Sequence, residues 1–270
     1  MKDLEPAFPQ PLFVRSFGQG PRPVLAIHCT IAHSGAWRGL ARELDQQVTM
    51  TTPDMLSHGR SPDWDGQGDY QDRMVAATAP LITEKLDLIG HSFGATVALR
   101  LAADQPHLIR SLTLIEPVLF AVAAQDDPAL LDAHEEDAKP FTEALAAGDQ
   151  ELGARLFNRM WSNGIGPRWP DLPEPTRAAM VRGIPVVPKC RHAIYDDPAG
   201  VLGQLDGITA PVQLLRGSLT HPIIGVVNEG LLRRLPEARS DVVEGAGHML
   251  PISHPRETAR YLSALLERTA

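Results

Sequence analysis

The chain has 270 residues, 43% of them hydrophobic and 21% charged, a balance that excludes a disordered or fibrous protein and leaves room for a sizeable core. Its 25 Lys and Arg against 33 Asp and Glu give a net charge of -8, so neither nucleic acid nor an acidic membrane surface is an expected partner. Two cysteines, Cys29 and Cys190, make no disulfide framework and no Cys/His spacing suits zinc, so a reducing compartment and no metal are expected.

The amino-terminal stretch MKDLEPAFPQPLFV carries acids and prolines where a signal peptide needs an uninterrupted apolar run, and reads as mature and cytoplasmic. No apolar run approaches the roughly 18 residues of a membrane span. Short apolar runs bounded by Gly and Pro predict buried strands at residues 23–28, 48–53, 86–90, 112–116 and 212–216. Helical spacing of apolar residues at 37–44, 70–82 and 95–103 lies between them. That alternation predicts an α/β domain with a mostly parallel sheet. After Glu116 the pattern changes to Ala, acids and aromatics, with helical stretches at 129–147 and 151–161 and a Pro-rich connection at 166–175. We expect a core of residues 1–117 and 206–270, interrupted by a helical cap at 118–205. The sheet ends through 240–243, and a last helix follows His254.

Gly90, His91, Ser92, Phe93 and Gly94 spell GxSxG between a strand and a helix, the setting in which this pattern makes a nucleophile elbow. A serine hydroxyl needs a general base, and His248 in GAGHMLP, after the last strand and before the last helix, is the candidate. His107, His134 and His192 read as surface residues, His134 as part of a solvated acidic helix face with Glu135, Glu136 and Asp137.

Four motifs in order, HCTIAHSGAW, DMLSHGRSPD, GHSFG and GAGHMLP, resemble the α/β-hydrolase superfamily with a helical cap after the sixth strand of its usual sheet. The resemblance implies an oxyanion hole from the backbone amides of Thr30 and Phe93, with Cys29 standing where the superfamily usually has Gly. It implies an acid after the next-to-last strand, but the stretch RGSLTHPII there has Thr220 and His221 and no carboxylate. Some members of the superfamily carry the acid one strand earlier, so the resemblance implies Glu116, at the carboxyl end of the strand before the cap. The alternative is a glutamate that anchors the cap, leaving a serine and histidine dyad. Asp54, His58, Gly59, Arg60 and Ser61 resemble a structural turn of the superfamily, with Ser57 at a position where Gly is common.

His33, Trp37, Trp161 and Trp169 are candidate substrate-binding residues, with core packing the equal alternative for His33 and Trp37. The cap aromatics either wall the pocket or pack between cap helices, and Arg191 is a candidate contact for an anionic substrate. A serine at the elbow argues against dehalogenase or epoxide hydrolase chemistry, which uses an aspartate there. The expected activity is hydrolysis of a small carboxylic ester without a cofactor. The same scaffold also serves carbon-carbon bond hydrolysis, lactonases, cofactor-free peroxidases and small-ligand receptors.

Overall fold

The computed structural model describes residues 10–162 and 164–270. The reading of the amino terminus rests mainly on residues 1–9, which lie outside the described residues. Among the described residues seven strands form one sheet: β1 (Val14–Phe17), β2 (Arg22–Ile27), β3 (Val48–Pro53), β4 (Leu86–His91), β5 (Ile109–Ile115), β6 (Val212–Gly217) and β7 (Ala238–Val243). Their spatial order is β1-β3-β2-β4-β5-β6-β7, and only the β1–β3 pair is antiparallel. The chain winds outward from β2 to β3, then returns to lay β4 on the other side of β2. The carboxyl ends of β2 and β4 therefore flank a switch point, where open α/β sheets form their crevices.

Parallel strands covered on both faces bury every side chain, and β4 does so along its whole length. One face packs Leu25, Ile27, Leu88 and Leu112 under α2 (Tyr70–Thr78) and α3 (Phe93–Asp104), while the other packs Val24, Ala26, Ile89 and Leu215 against α1 (Arg38–Glu43) and the terminal helix. The strands at 48–53 and 212–216 and the helices near 129–147 and 151–161 stand as expected to within a residue or two. Strand β1 was not anticipated: VRSF alternates exposed and half-buried positions at the sheet edge and has no apolar run.

Between β5 and β6 lies a helical region: α4 (Ala121–Asp126), α5 (Pro128–Ala146), α6 (Gln150–Ser162), α7 (Glu174–Gly183) and α8 (Arg191–Tyr195). It follows the fifth of the seven described strands, at the chain position expected though one strand lower in count. Asp127 caps α5 by accepting from the Leu130 amide at 3.0 Å, and Pro128 fills the first helical position, where no amide donor is needed. The chain then forms α9 (Pro222–Arg234), α10 (Leu250–Ser253) and α11 (Pro255–Arg268). No helix of the described residues is long and apolar enough to cross a membrane.

Candidate active site

Strand β4 passes into α3 through Ser92, whose φ of 56° and ψ of -120° lie where a side-chain-bearing residue is strained. The turn is tight because its neighbours are glycines. A Cβ on Gly94 would meet the carbonyl oxygens of Ile27 and His28 at 2.4 Å, and one on Gly90 would meet Ala95 Cα at 2.4 Å. The Ser92 amide donates to Ile115 O at 2.8 Å, which fixes the turn against β5.

Glu116, directly after β5, also holds a positive φ, at 52°, and is fully buried. Its carboxylate accepts from the Gly217 amide on Oε1 at 2.6 Å, and from the Thr220 hydroxyl at 2.5 Å and His248 Nδ1 at 2.9 Å on Oε2. The imidazole is thereby oriented with Nδ1–H toward the carboxylate and Nε2 free to act as a base. His91 Nε2–H donates to the His248 carbonyl at 2.8 Å, tying the loop after β7 to the elbow. Burial holds His91 neutral, with its pKa lowered to about 3. Ser92 and His248 line one cavity, and no hydrogen bond joins their side chains among the described residues. Such bonds are often long in ligand-free enzymes and tighten around substrate.

The loop after β2 is held by three interlocked groups. His28 donates from Nδ1 to Cys29 O at 2.7 Å and accepts the Met55 amide on Nε2 at 2.9 Å. His58 donates from Nδ1 to Leu56 O at 2.8 Å and accepts the Ile31 amide on Nε2 at 2.9 Å. Asp54 accepts the Ser34 and Arg60 amides at 2.6 and 2.8 Å. Ser57 holds a positive φ of 64° at the position where Gly is common, and its hydroxyl accepts the Trp64 amide at 3.0 Å. Neither the Thr30 nor the Phe93 amide has a hydrogen-bond partner among the described residues, and both residues border a second hollow beside Ser92. Burial pushes the Cys29 thiol up to about 12, which makes it inert as a thiolate.

The candidate binding residues divide. His33 and Trp161 line the cavity, and the Trp161 ring lies 4.4 Å from the His248 ring at 37°. Trp37 does not line it: it is 1% exposed and packs with Leu40, Ala41 and Leu44, which is the core-packing alternative for this residue. Trp169 lies in a 3-10 turn, Trp169–Asp171, and borders neither of the two hollows beside Ser92. Arg191 is committed to Glu135 through both guanidinium nitrogens, at 2.5 and 2.6 Å, and lies over the Tyr195 ring.

Two residues escaped the sequence reading. Thr220, passed over because it carries no charge, serves as a donor to the carboxylate. His134, read as surface, is 2% exposed against Phe120 and Trp161, with its pKa lowered by burial to about 4. No group of three or more His, Cys, Asp or Glu suited to a metal occurs among the described residues.

The model of the alpha/beta hydrolase family matches residues 24–261. A pimeloyl-[acyl-carrier protein] methyl ester esterase of Methylococcus capsulatus is 28% identical over 266 residues, covering 93% of this chain and 96% of its own. Lipase LipV of Mycobacterium tuberculosis is 38% identical over a shorter 113 residues, 40% of this chain and 42% of the lipase. A solved thermophilic esterase from Thermogutta terrifontis superposes with a TM-score of 0.74 at 20% identity, over 96% of this chain and 93% of its own. At that identity the likeness shows the α/β-hydrolase fold, with α5–α8 as its inserted helical region.

Proposed function

Because the chain belongs to the alpha/beta hydrolase family, we propose that it hydrolyses a small carboxylic ester through Ser92, His248 and Glu116. His248 Nε2 takes the hydroxyl proton as Ser92 Oγ bonds to the ester carbonyl carbon. The amides of Thr30 and Phe93 receive the oxyanion, and Glu116 stabilises the imidazolium. Collapse of the tetrahedral intermediate breaks the ester bond, and His248 gives its proton to the departing alcohol. Water, deprotonated by the same histidine, then attacks the acyl-serine; the acid leaves and Ser92 regains its proton. The division into a core, residues 1–117 and 206–270, and a cap, residues 118–205, belongs to this reading, with the cap roofing the substrate.

The observation that carries it is the 2.9 Å contact from His248 Nδ1 to a fully buried carboxylate, beside a serine in a strained turn on the same cavity. Esterase names among the relatives agree with ester chemistry. The test is labelling with a fluorophosphonate and mass spectrometry of the modified peptide. Modification at Ser92 is expected, and Ser92→Ala is expected to abolish it and to lower ester turnover by about 10⁴-fold or more. A Ser92→Ala protein as active as the parent overturns the reading.

A further inference from the structure

The hollow around Ser92 has two lobes. The first, about 350 Å³, is walled by His248, Met249, Ile252 and the cap residues Pro175, Ala179 and Met180. The second, about 120 Å³, lies among Phe120, Ala138, Phe141, Phe157 and Ile194. Ser92, Thr30, Phe157 and Trp161 border both lobes, whereas His248 borders only the first and Phe93 only the second. A further hollow of about 300 Å³ extends the first lobe and shares Met180, His248, Met249 and Ile252 with it.

This partition assigns directions to the substrate. In the tetrahedral intermediate the carbonyl carbon carries Ser92 Oγ, the oxyanion, the leaving oxygen and the acyl carbon. The oxyanion faces the Thr30 and Phe93 amides. The leaving oxygen must come within hydrogen-bond reach of His248, which protonates it. The alcohol therefore occupies the lobe that contains His248, and the acyl chain takes the lobe that lacks it.

Resting on the serine-esterase reading, we propose that this protein selects esters with a short, uncharged acyl group and a bulky apolar alcohol. A water-sized group needs on the order of 15–30 Å³, so the acyl lobe accommodates about four to eight such groups. The charged residue on its wall, Arg191, is neutralised by Glu135, and His134 is uncharged above about pH 4, so no unpaired cation awaits an acyl carboxylate. The alcohol lobe and its extension are several times roomier and apolar.

The test is a matrix of esters, varying the acyl chain from two to twelve carbons and, separately, the alcohol from methyl to benzyl and naphthylmethyl. We expect kcat/KM to peak near six acyl carbons and fall at least tenfold by twelve, and to rise at least tenfold from the methyl to the benzyl ester of one acid. Preference for long-chain methyl esters overturns the proposal while leaving the serine-esterase reading standing. An enzyme inert to the whole matrix and unlabelled at Ser92 overturns both. Ala138→Phe, bordering the acyl lobe alone, is expected to shorten the acyl limit and to change the deacylation rate. Ala179→Phe, bordering the alcohol lobe alone, is expected to cut the benzyl preference tenfold and to leave the acyl-length limit where it is in the parent. An exchange of these effects overturns the assignment of lobes, and the parent matrix decides it should either variant fail to fold.

Discussion

A carboxylate without solvent is costly unless donors surround it, and Glu116 has three: the Gly217 amide, the Thr220 hydroxyl and His248 Nδ1. In Glu116→Gln the amide nitrogen is free to donate to His248 Nδ1, which moves the ring proton to Nε2 and removes the base. We expect kcat to fall about a hundredfold or more with the thermal midpoint nearly kept, measured by steady-state kinetics alongside calorimetry. Thr220→Val removes one hydrogen bond to a charged group, worth about 1.5–3 kcal/mol. It should lower kcat by about tenfold, less than Glu116→Gln, and a loss equal to that of Glu116→Gln would show that Thr220 does more than hold the carboxylate. Ser92 and His248 were legible because their motifs are local, each a turn between a strand and a helix. Glu116 was reachable only through the superfamily's alternative place for an acid one strand earlier, since a lone glutamate at a strand end has no pattern of its own. The Thr220 contact was illegible because it joins the loop after β6 to the end of β5, residues 104 apart in sequence. His134 was misread because its neighbours Glu135, Glu136 and Asp137 are charged, yet successive helix positions point about 100° apart and one of them faces inward.

Among the elements, α7 anchors the insertion to the core through one side chain. Arg182 donates to Gly59 O and Ser61 O at 2.8 Å and to Asp63 Oδ1 at 2.7 Å. The ion pair is largely exposed and contributes little, so the two carbonyl contacts carry most of the anchoring. Next to it, a Cβ on Gly183 would sit 2.9 Å from His58 Nε2, the atom that receives the Ile31 amide in the loop after β2. The anchor thus bears on the same loop that supplies Thr30. Arg182→Ala should raise KM several-fold and lower the midpoint by about 2–4 °C for roughly 1 kcal/mol lost, with the insertion cleaved faster by a protease. An unchanged KM would show that α7 stays in place without this residue. The buried parallel strands and the long inserted helices were legible because continuous apolar runs and 3.6-residue spacing are strong signals. Helix α9 was not: Gly225 and Gly230 interrupt its sequence, and at Gly230 a Cβ would press on Val122 Cγ1 at 2.2 Å and Asp126 Oδ2 at 2.4 Å, where α4 packs close.

Across the whole molecule, four histidines are buried in neutral form: burial lowers His28 and His91 to about 3, and His58 and His134 to about 4. In the unfolded chain each returns toward its ordinary value of 6.5, so between 6.5 and 3–4 the unfolded state binds protons that the folded state refuses. Stability therefore rises with pH across that window: it is complete above about 6.5 and drains away as the pH falls toward the folded values. Each such group contributes a slope of about 1.4 kcal/mol per pH unit well inside the window. Urea unfolding followed at constant ionic strength should give a plateau from pH 8 to about 6.5 and a steep loss below it. A free energy level down to pH 5 would contradict the neutral burial of these rings. His134 isolates one member of the set, since its Nδ1 has no hydrogen-bond partner among the described residues and its ring packs 4.7 Å from Phe120. His134→Phe keeps the aromatic packing, strands no partner and removes one titrating group. At pH 7 its stability should equal or exceed the parent's, and on the acid limb it should lose about 1 kcal/mol less per pH unit. An acid limb as steep as the parent's would show that His134 takes up its proton in the folded state.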